Sequence, residues 1–296
     1  MDPQLAQLFL NGVAVGSIIA LASVGLTLTY GILRLSNFAH GDLMTLGAYL
    51  TLSADTLFTR TLGQNTWNVW LAMVLGALGT IAAVLLSETV IWSPMRSRRA
   101  TSTTLIIISI GLALFIRNGI ILIWGGSNQN YNLPVAEALE LGPLRIPFYD
   151  VVVLVLAIVA ITAIHFLLQN TKIGKAMRAV ADDLDLARVT GIKVDQVILW
   201  TWIIAAGLTA LGGSMLGLIE AVRPNMGWFL IINLFSAVIL GGIGNPYGAI
   251  AGAFTIGIAQ EMSTYVLPNE YKGAIALVIM ILVLLFRPQG LFRGTV

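Results

Sequence analysis

The residues able to do chemistry are few, and they sit where an apolar chain should avoid them. Asn37, His40, Gly41 and Asp42 form one block, N-F-A-H-G-D, between two apolar stretches. Arg117, Glu220 and Glu261 lie inside or at the ends of other apolar stretches, and Asn245-Pro246-Tyr247 follows a glycine-rich break. A charge at the centre of a hydrocarbon core costs roughly 2.5–3.5 kcal/mol on insertion scales, so those present line a pathway or meet a partner. Glu220 and Glu261, toward the outer ends of their spans, could meet a partner protein or an ammonium, and His40 is the one titratable group of its block near neutral pH. Each also has a structural use. Asn37 or Asp42 could cap a helix start, and for Asp42 the cap is the stronger reading. His40 suits a structural hydrogen bond, and Arg117, in the outer half of its span, could snorkel or bond a loop carbonyl. Gly41 and its short polar neighbours suit a broken or re-entrant start to the second apolar segment.

Bond-making chemistry lacks its parts. There is no H-E-x-x-H and no G-x-S-x-G. The two histidines, His40 and His165, fall in different segments; His165, near the inner end of its span, reads as a polar interface residue. With no cysteine there is neither thiolate ligand nor thiol nucleophile. The nearest approach to a phosphate-binding loop is Gly174-Lys175-Ala176, with Gln169 where the first glycine belongs and alanine where Ser or Thr belongs. The inner loops are too short for a nucleotide-binding domain, so any ATP used is bound by another chain. An enzyme is not expected, nor is a cofactor or metal. A net charge of +2 without a long basic run gives nucleic acid no footing.

The elements that position these residues follow from composition. The chain is 57% hydrophobic and 10% charged, with a mean hydropathy of +0.90; lipid is its solvent. The first residues carry Asp2 and no Lys or Arg before an apolar stretch too long for a cleaved signal, so the first segment is expected to stay as a span. Clear spans read at 8–33, 67–91, 103–124, 149–169, 195–222 and 270–287. Residues 38–58 add one, and 228–267, broken at Gly241-Gly242-Ile243-Gly244-Asn245-Pro246, add two shorter ones. The expectation is an all-α polytopic membrane protein, a single domain over 1–296, with about nine transmembrane or re-entrant helices (eight to ten).

With the N-terminus outside, the inner loops collect Arg34, Arg96, Arg98, Arg99, Lys172, Lys175, Arg178, Arg188, Lys193, Arg287 and Arg293. The outer loops keep Arg60, Arg145, Arg223 and Lys272, so cationic residues favour the inside and the C-terminus is expected in the cytoplasm. The outer loop 125–148 carries turn signals at Pro134, Pro143 and Pro147. The inner loop 170–194 favours one helix, with faces at Lys175/Arg178/Ala179 and Ala176/Val180/Leu184, ended by Gly191. It is either a surface helix stabilised by its own ion pairs or a docking helix for a cytoplasmic partner. Both breaks, at Asn37–Asp42 and at Gly244–Gly248, place short polar residues beside glycine, hinting at a repeat of broken helices near the cytoplasmic side. Glycines four apart, Gly12/Gly16, Gly213/Gly217 and Gly244/Gly248/Gly252, suit close helix packing within the chain or against a second chain.

From residue 25 the sequence G-L-T-L-T-Y-G-I-L-R-L-S-N-F-A-H-G-D-L-M-T-L-G-A-Y-L closely resembles the H-type permease subunit of branched-chain and neutral amino-acid ABC importers. The resemblance continues at T-K-I-G-K-A-M-R-A-V-A (171–181), D-L-A-R-V-T-G-I (185–192), L-G-G-I-G-N-P-Y-G-A-I-A-G-A (240–253) and R-P-Q-G-L-F (287–292), essentially the whole length. It implies a multi-pass protein of the bacterial plasma membrane that pairs with a second related permease. Two cytoplasmic ATPase subunits and a periplasmic or extracellular substrate-binding protein would complete the machine. Loop 170–194 would then carry the coupling helix, with Lys172, Gly174, Lys175, Arg178, Ala187 and Gly191 as its contact residues. Asn37, His40, Asp42, Arg117, Glu220, Asn245, Tyr247 and Glu261 are the candidates for pathway or gate. Permeases for urea or short amides, and an ATP-independent channel or carrier, are the alternatives.

Overall fold

Unbroken apolar sequence becomes helix throughout, because in lipid a backbone must satisfy its own hydrogen bonds. The computed structural model describes residues 2–63, 65, 67–134, 136–142 and 144–292. Pro143 and Arg293, a turn signal and an inner-loop charge above, lie outside the described residues.

Helix α1 spans Pro3–Leu33, α2 His40–Leu62 and α3 Trp67–Ser87, which runs through a π turn, Glu88–Trp92, into α4, Ser93–Ser97. Glu88 gives the π turn a use: its carboxylate accepts from Arg96 and, at 2.7 Å, from the Trp202 indole. Then come α5 Ser102–Trp124, α6 Phe148–Asn170, α7 Lys172–Asp182 and α8 Leu184–Val189. α9 Val194–Ile219, α10 Met226–Gly241, α11 Pro246–Ser263 and α12 Lys272–Phe286 complete the bundle. Among the described residues the strands are β1 Leu139–Leu141 and β2 Leu144–Ile146, an antiparallel hairpin with Glu140 opposite Arg145.

The all-α class expected from composition is the one found. Among the described residues six helices are long and apolar enough to cross a membrane: Pro3–Leu33, Trp67–Ser97, Ser102–Trp124, Phe148–Asn170, Val194–Ile219 and Asn269–Phe286. They match the six clear segments of the sequence, and the chain is a multi-pass membrane protein. Helices α2, α10 and α11 fill the other three expected positions without meeting that standard. α10 has 16 residues and α11 has 18, about 24 and 27 Å at 1.5 Å per residue, against a hydrocarbon core of about 30 Å.

Helices α1 and α9 form the centre. α1 is buried almost continuously from Ala14 to Ile32, and α9 from Thr201 to Leu218. Tight packing there comes from glycine. A Cβ on Gly257 of α11 would lie 2.5 Å from the Gly16 Cα of α1, and one on Gly213 of α9 2.0 Å from the Met44 carbonyl oxygen. The four-residue glycine spacing is therefore used within the chain. Helices α5, α6 and α12 are peripheral and turn Phe115, Leu122, Val159 and Leu285 outward, as lipid-facing helices do.

The loops differ from expectation at one point. Residues 170–194 form two helices rather than one ended by Gly191. Asp183 is extended (φ −151°, ψ 109°), and its carboxylate caps α8 by accepting the Leu186 N–H at 2.9 Å. A short acidic side chain makes a better N-cap than a mid-helix residue. Gly191, at φ +89°, follows α8. Gln129 of loop 125–148 and Val222, after α9, exchange backbone hydrogen bonds of 3.0 and 2.8 Å. This tie lets Tyr131 plug inward onto Gly217, its hydroxyl donating to the Ala48 carbonyl at 3.1 Å.

Candidate functional site: paired helix starts, a hydrogen-bonded chain at α7 and a pocket beside α12

After α1 ends, residues 34–39 turn back into the bundle. His40 Nε2 lies 2.9 Å from the Ala22 carbonyl oxygen and 2.8 Å from Thr209 Oγ1. Ala22 is three turns before the end of α1, about 16 Å along the axis, so α2 starts deep inside the protein. This is the re-entrant start expected from Gly41 and its neighbours. His40 is buried and makes structural hydrogen bonds; the Asn37 carboxamide oxygen accepts the Ala39 N–H at 3.1 Å, while its Nδ2 is buried without a protein partner.

Asp42 does not cap α2. The N-cap is Ala39, with no side-chain hydrogen bond, and the Asp42 carboxylate instead receives Arg117 in a two-pronged pair. Arg117 Nε and Nη2 each lie 3.0 Å from one carboxylate oxygen. The guanidinium also lies 4.3 Å from the Trp228 ring centroid, a cation–π contact. Arg117 therefore neither snorkels nor bonds a loop carbonyl: its charge is neutralised by a side chain of another helix.

Trp228 belongs to the first turn of α10, and this turn meets the first turn of α2. The Gly227 N–H donates to Thr45 Oγ1 at 3.0 Å. A Cβ on Gly41 would sit 2.2 Å from the Gly227 carbonyl oxygen, and one on Gly227 1.8 Å from that of Gly41. Two helix starts thus touch backbone to backbone. The sequence reading paired the Asn37–Asp42 block with the Gly244–Gly248 break. Gly244 lies elsewhere, at the end of α1, donating its N–H to Thr27 Oγ1 at 2.9 Å. Gly227, Trp228, Thr45 and Thr209 were missed, although Arg223-Pro224-Asn225 before Met226 marks a chain break.

A second group gathers at α11. The Asn245 carboxamide oxygen caps it, accepting from the Tyr247 and Gly248 N–H groups at 3.1 Å. The Tyr247 hydroxyl lies 2.9 Å from His165 Nδ1 and accepts from Gln169 Nε2 at 3.1 Å, and Arg178 of α7 donates to Gln169 Oε1 at 2.5 Å. His165 is thus a partner of Tyr247. A small cavity of about 80 Å³, lined by Thr27, Gly31, Met177, Gly244 and Tyr247, lies at this junction. The buried side of α7 is Gly174, Met177 and Val180, a stripe three residues apart, rather than the Ala176/Val180/Leu184 face. Gly174 presses on the end of α6, where a Cβ would be 2.2 Å from the Leu167 carbonyl oxygen. Ala187 is buried beneath α8; Lys172, Lys175, Arg178 and Gly191 are exposed.

Glu220 and Glu261 meet in a third place, a pocket of about 440 Å³ at the other end of the bundle, each beside a cation, Arg223 and Lys272. The eight pathway candidates are therefore divided among three places. Among the described residues no group of three or more His, Cys, Asp or Glu could hold a metal.

Comparison with known proteins agrees with this architecture. A family model described as "Branched-chain amino acid transport system / permease component" matches residues 8–284. The permease LivH of Escherichia coli K12, from a high-affinity branched-chain amino acid transport system, is 32% identical over 97% of this chain and 94% of its own. BraD of Pseudomonas aeruginosa, likewise described, is 30% identical over 96% and 94%. The E. coli permease LivM is 26% identical over 51% of this chain and 35% of its own. No solved structure matches. With nearly the whole length matched, the chain belongs to the family of branched-chain amino acid transport permease components.

Proposed function

We propose that this permease is the membrane subunit of an ATP-driven importer of branched-chain or other neutral amino acids in a bacterial plasma membrane. It works by alternating access, paired with a second related permease, above two cytoplasmic ATPase subunits and below a substrate-binding protein. The likeness to LivM supports the pairing, because two permeases of related sequence can share one interface geometry. The domain is single over 1–296, with about nine transmembrane or re-entrant helices (eight to ten), the N-terminus outside and the C-terminus in the cytoplasm. The excess of inner Lys and Arg supports that topology.

One observation carries the coupling reading: the Arg178–Gln169–Tyr247 chain joins the exposed basic helix α7 to the first turn of α11. The buried Gly174–Met177–Val180 stripe fixes α7 to the bundle, so a push on Lys172, Lys175 or Arg178 moves α6 and α11 as a unit. Ala187 and Gly191 set the angle of α8 behind it. Asn245 and Tyr247 then act at the inner gate, while Asn37, His40, Asp42 and Arg117 set the α2–α10 junction that the motion must work against.

Affinity purification of the tagged chain from its native membrane tests the assembly. A second permease and P-loop ATPases should co-purify; a chain that transports alone is a channel or carrier and removes ATP from the mechanism. In the reconstituted importer, Arg178→Ala is expected to leave assembly intact and lower uptake per ATP hydrolysed by about fivefold or more, the low end of ordinary coupling between sites. Unchanged stoichiometry of uptake to hydrolysis would remove Arg178 from the relay.

A further inference from the structure

The pocket holding Glu220 and Glu261 has a use that coupling and gating leave unstated. It lies where the 220–225 connector leads from the end of α9 to α10, which starts inside the bundle against Gly41. In the topology proposed above this is the outer side. Its polar lining is two ion pairs, one amide pair and the carboxylate of Glu270. Arg223 Nη2 lies 2.9 Å from Glu220 Oε2, and Lys272 Nζ 2.5 Å from Glu261 Oε1. Asn233 and Gln260 exchange hydrogen bonds of 3.3 and 3.1 Å, and Gln260 also donates to the Lys272 carbonyl at 2.9 Å. Leu216, Phe229, Leu230 and Leu277 supply an apolar side.

Asn233 and Gln260 are buried, and Glu261 is 8% exposed. Charges so placed are costly, and a well-packed apolar pair would serve stability at least as well. What the lining does fit is a solute carrying both charges and a hydrocarbon tail. Carboxylates accept an ammonium, the Lys and Arg donate to a carboxylate, the amides fix orientation, and the leucines and Phe229 receive an aliphatic chain.

We propose that this pocket binds an aliphatic amino acid as its zwitterion, Glu261 and Lys272 parting to take its ammonium and its carboxylate. The inference rests on the importer reading and names where its substrate is first held. A zwitterion leaves the charge of the lining unchanged, so ion pairs are exchanged one for one. An aliphatic acid leaves Glu261 without a partner and an aliphatic amine leaves Lys272 without one, so each is held more weakly than the zwitterion.

The absence of cysteine from this chain makes the test direct. In the complete importer, a cysteine placed at Leu277 or, in a second variant, at Phe229 is labelled with a maleimide, and the labelling of this chain is timed. Leucine at ten times its Kd is expected to slow labelling about tenfold, as occupancy by 1 + [L]/Kd requires. Isovalerate and isoamylamine, each lacking one charge, should not. Adding Glu261→Gln or Lys272→Met should abolish protection. If an importer that takes up leucine with ATP shows no protection at either cysteine, this site is wrong while the importer reading stands. Equal protection by isovalerate or isoamylamine, or protection surviving both substitutions, also overturns it. An importer that takes up no aliphatic amino acid overturns the functional reading and the site with it.

Discussion

Asp42→Ala is expected to destabilise the folded permease by about 3–5 kcal/mol, the cost of leaving one partner of a buried ion pair alone. The Asp42 side chain is fully buried and that of Arg117 is 16% exposed, so water cannot take over the carboxylate's charge. Arg117→Leu should cost as much, since it strands the carboxylate and also strips the cation from Trp228. Removing both charges together, Asp42→Leu with Arg117→Leu, should cost much less than the sum, because no charge remains unpaired. Thermal unfolding of the purified permease in detergent reads this out, with a fall in Tm on the order of 10 °C for either single change. Additive single and double effects would mean that the pair does not hold α5 to α2.

A single methyl group at the junction of the two helix starts should do comparable damage. Gly227→Ala puts a Cβ 1.8 Å from the Gly41 carbonyl oxygen. The obstacle is backbone in the first turn of another helix, which has no rotamer to escape into. The cost is expected at or above the upper end of ordinary overpacking, about 3 kcal/mol. Gly111→Ala on α5 is the control, with nothing within 4 Å of the added carbon; it should be neutral or stabilise by up to about 1 kcal/mol through helix propensity. Equal melting of the two variants would deny the α2–α10 contact.

These two sites also mark what the sequence disclosed and what it withheld. The six long spans were legible because hydropathy over about 20 residues suffices to find a crossing helix. That α2 would be re-entrant was legible from Gly41 and the polar residues before it. Its depth was not, because the Ala22 and Thr209 contacts of His40 come from helices distant in sequence. Asp42 read as a cap because a short acid near a helix start usually is one; its partner lies 75 residues away, beyond any local pattern. Glu220 and Glu261 were each legible as ionisable groups near span ends, but only folding puts them around one pocket. The division of loop 170–194 was within reach, since Asp183 followed by L-D-L-A-R-V is a normal N-cap sequence. The helix propensity of the flanking residues masked it.

The deep start of α2 bears on how the protein is made. α2 buries His40, Asp42, Thr45, Thr51 and Asp55 and is not among the helices apolar enough to enter lipid unaided. The polar groups it carries are answered by elements synthesised later: Arg117 on α5, Thr209 and Ser214 on α9, and Gly227 at the start of α10. Until those elements emerge, α2 has only α1 and α3 as companions, and neither pairs with Asp42 or Thr45. A chain that stops before α9 therefore leaves Thr51 and Thr45 without their Ser214 and Gly227 partners. The α2–α10 junction is thus completed late in synthesis, once the first turn of α10 has been made.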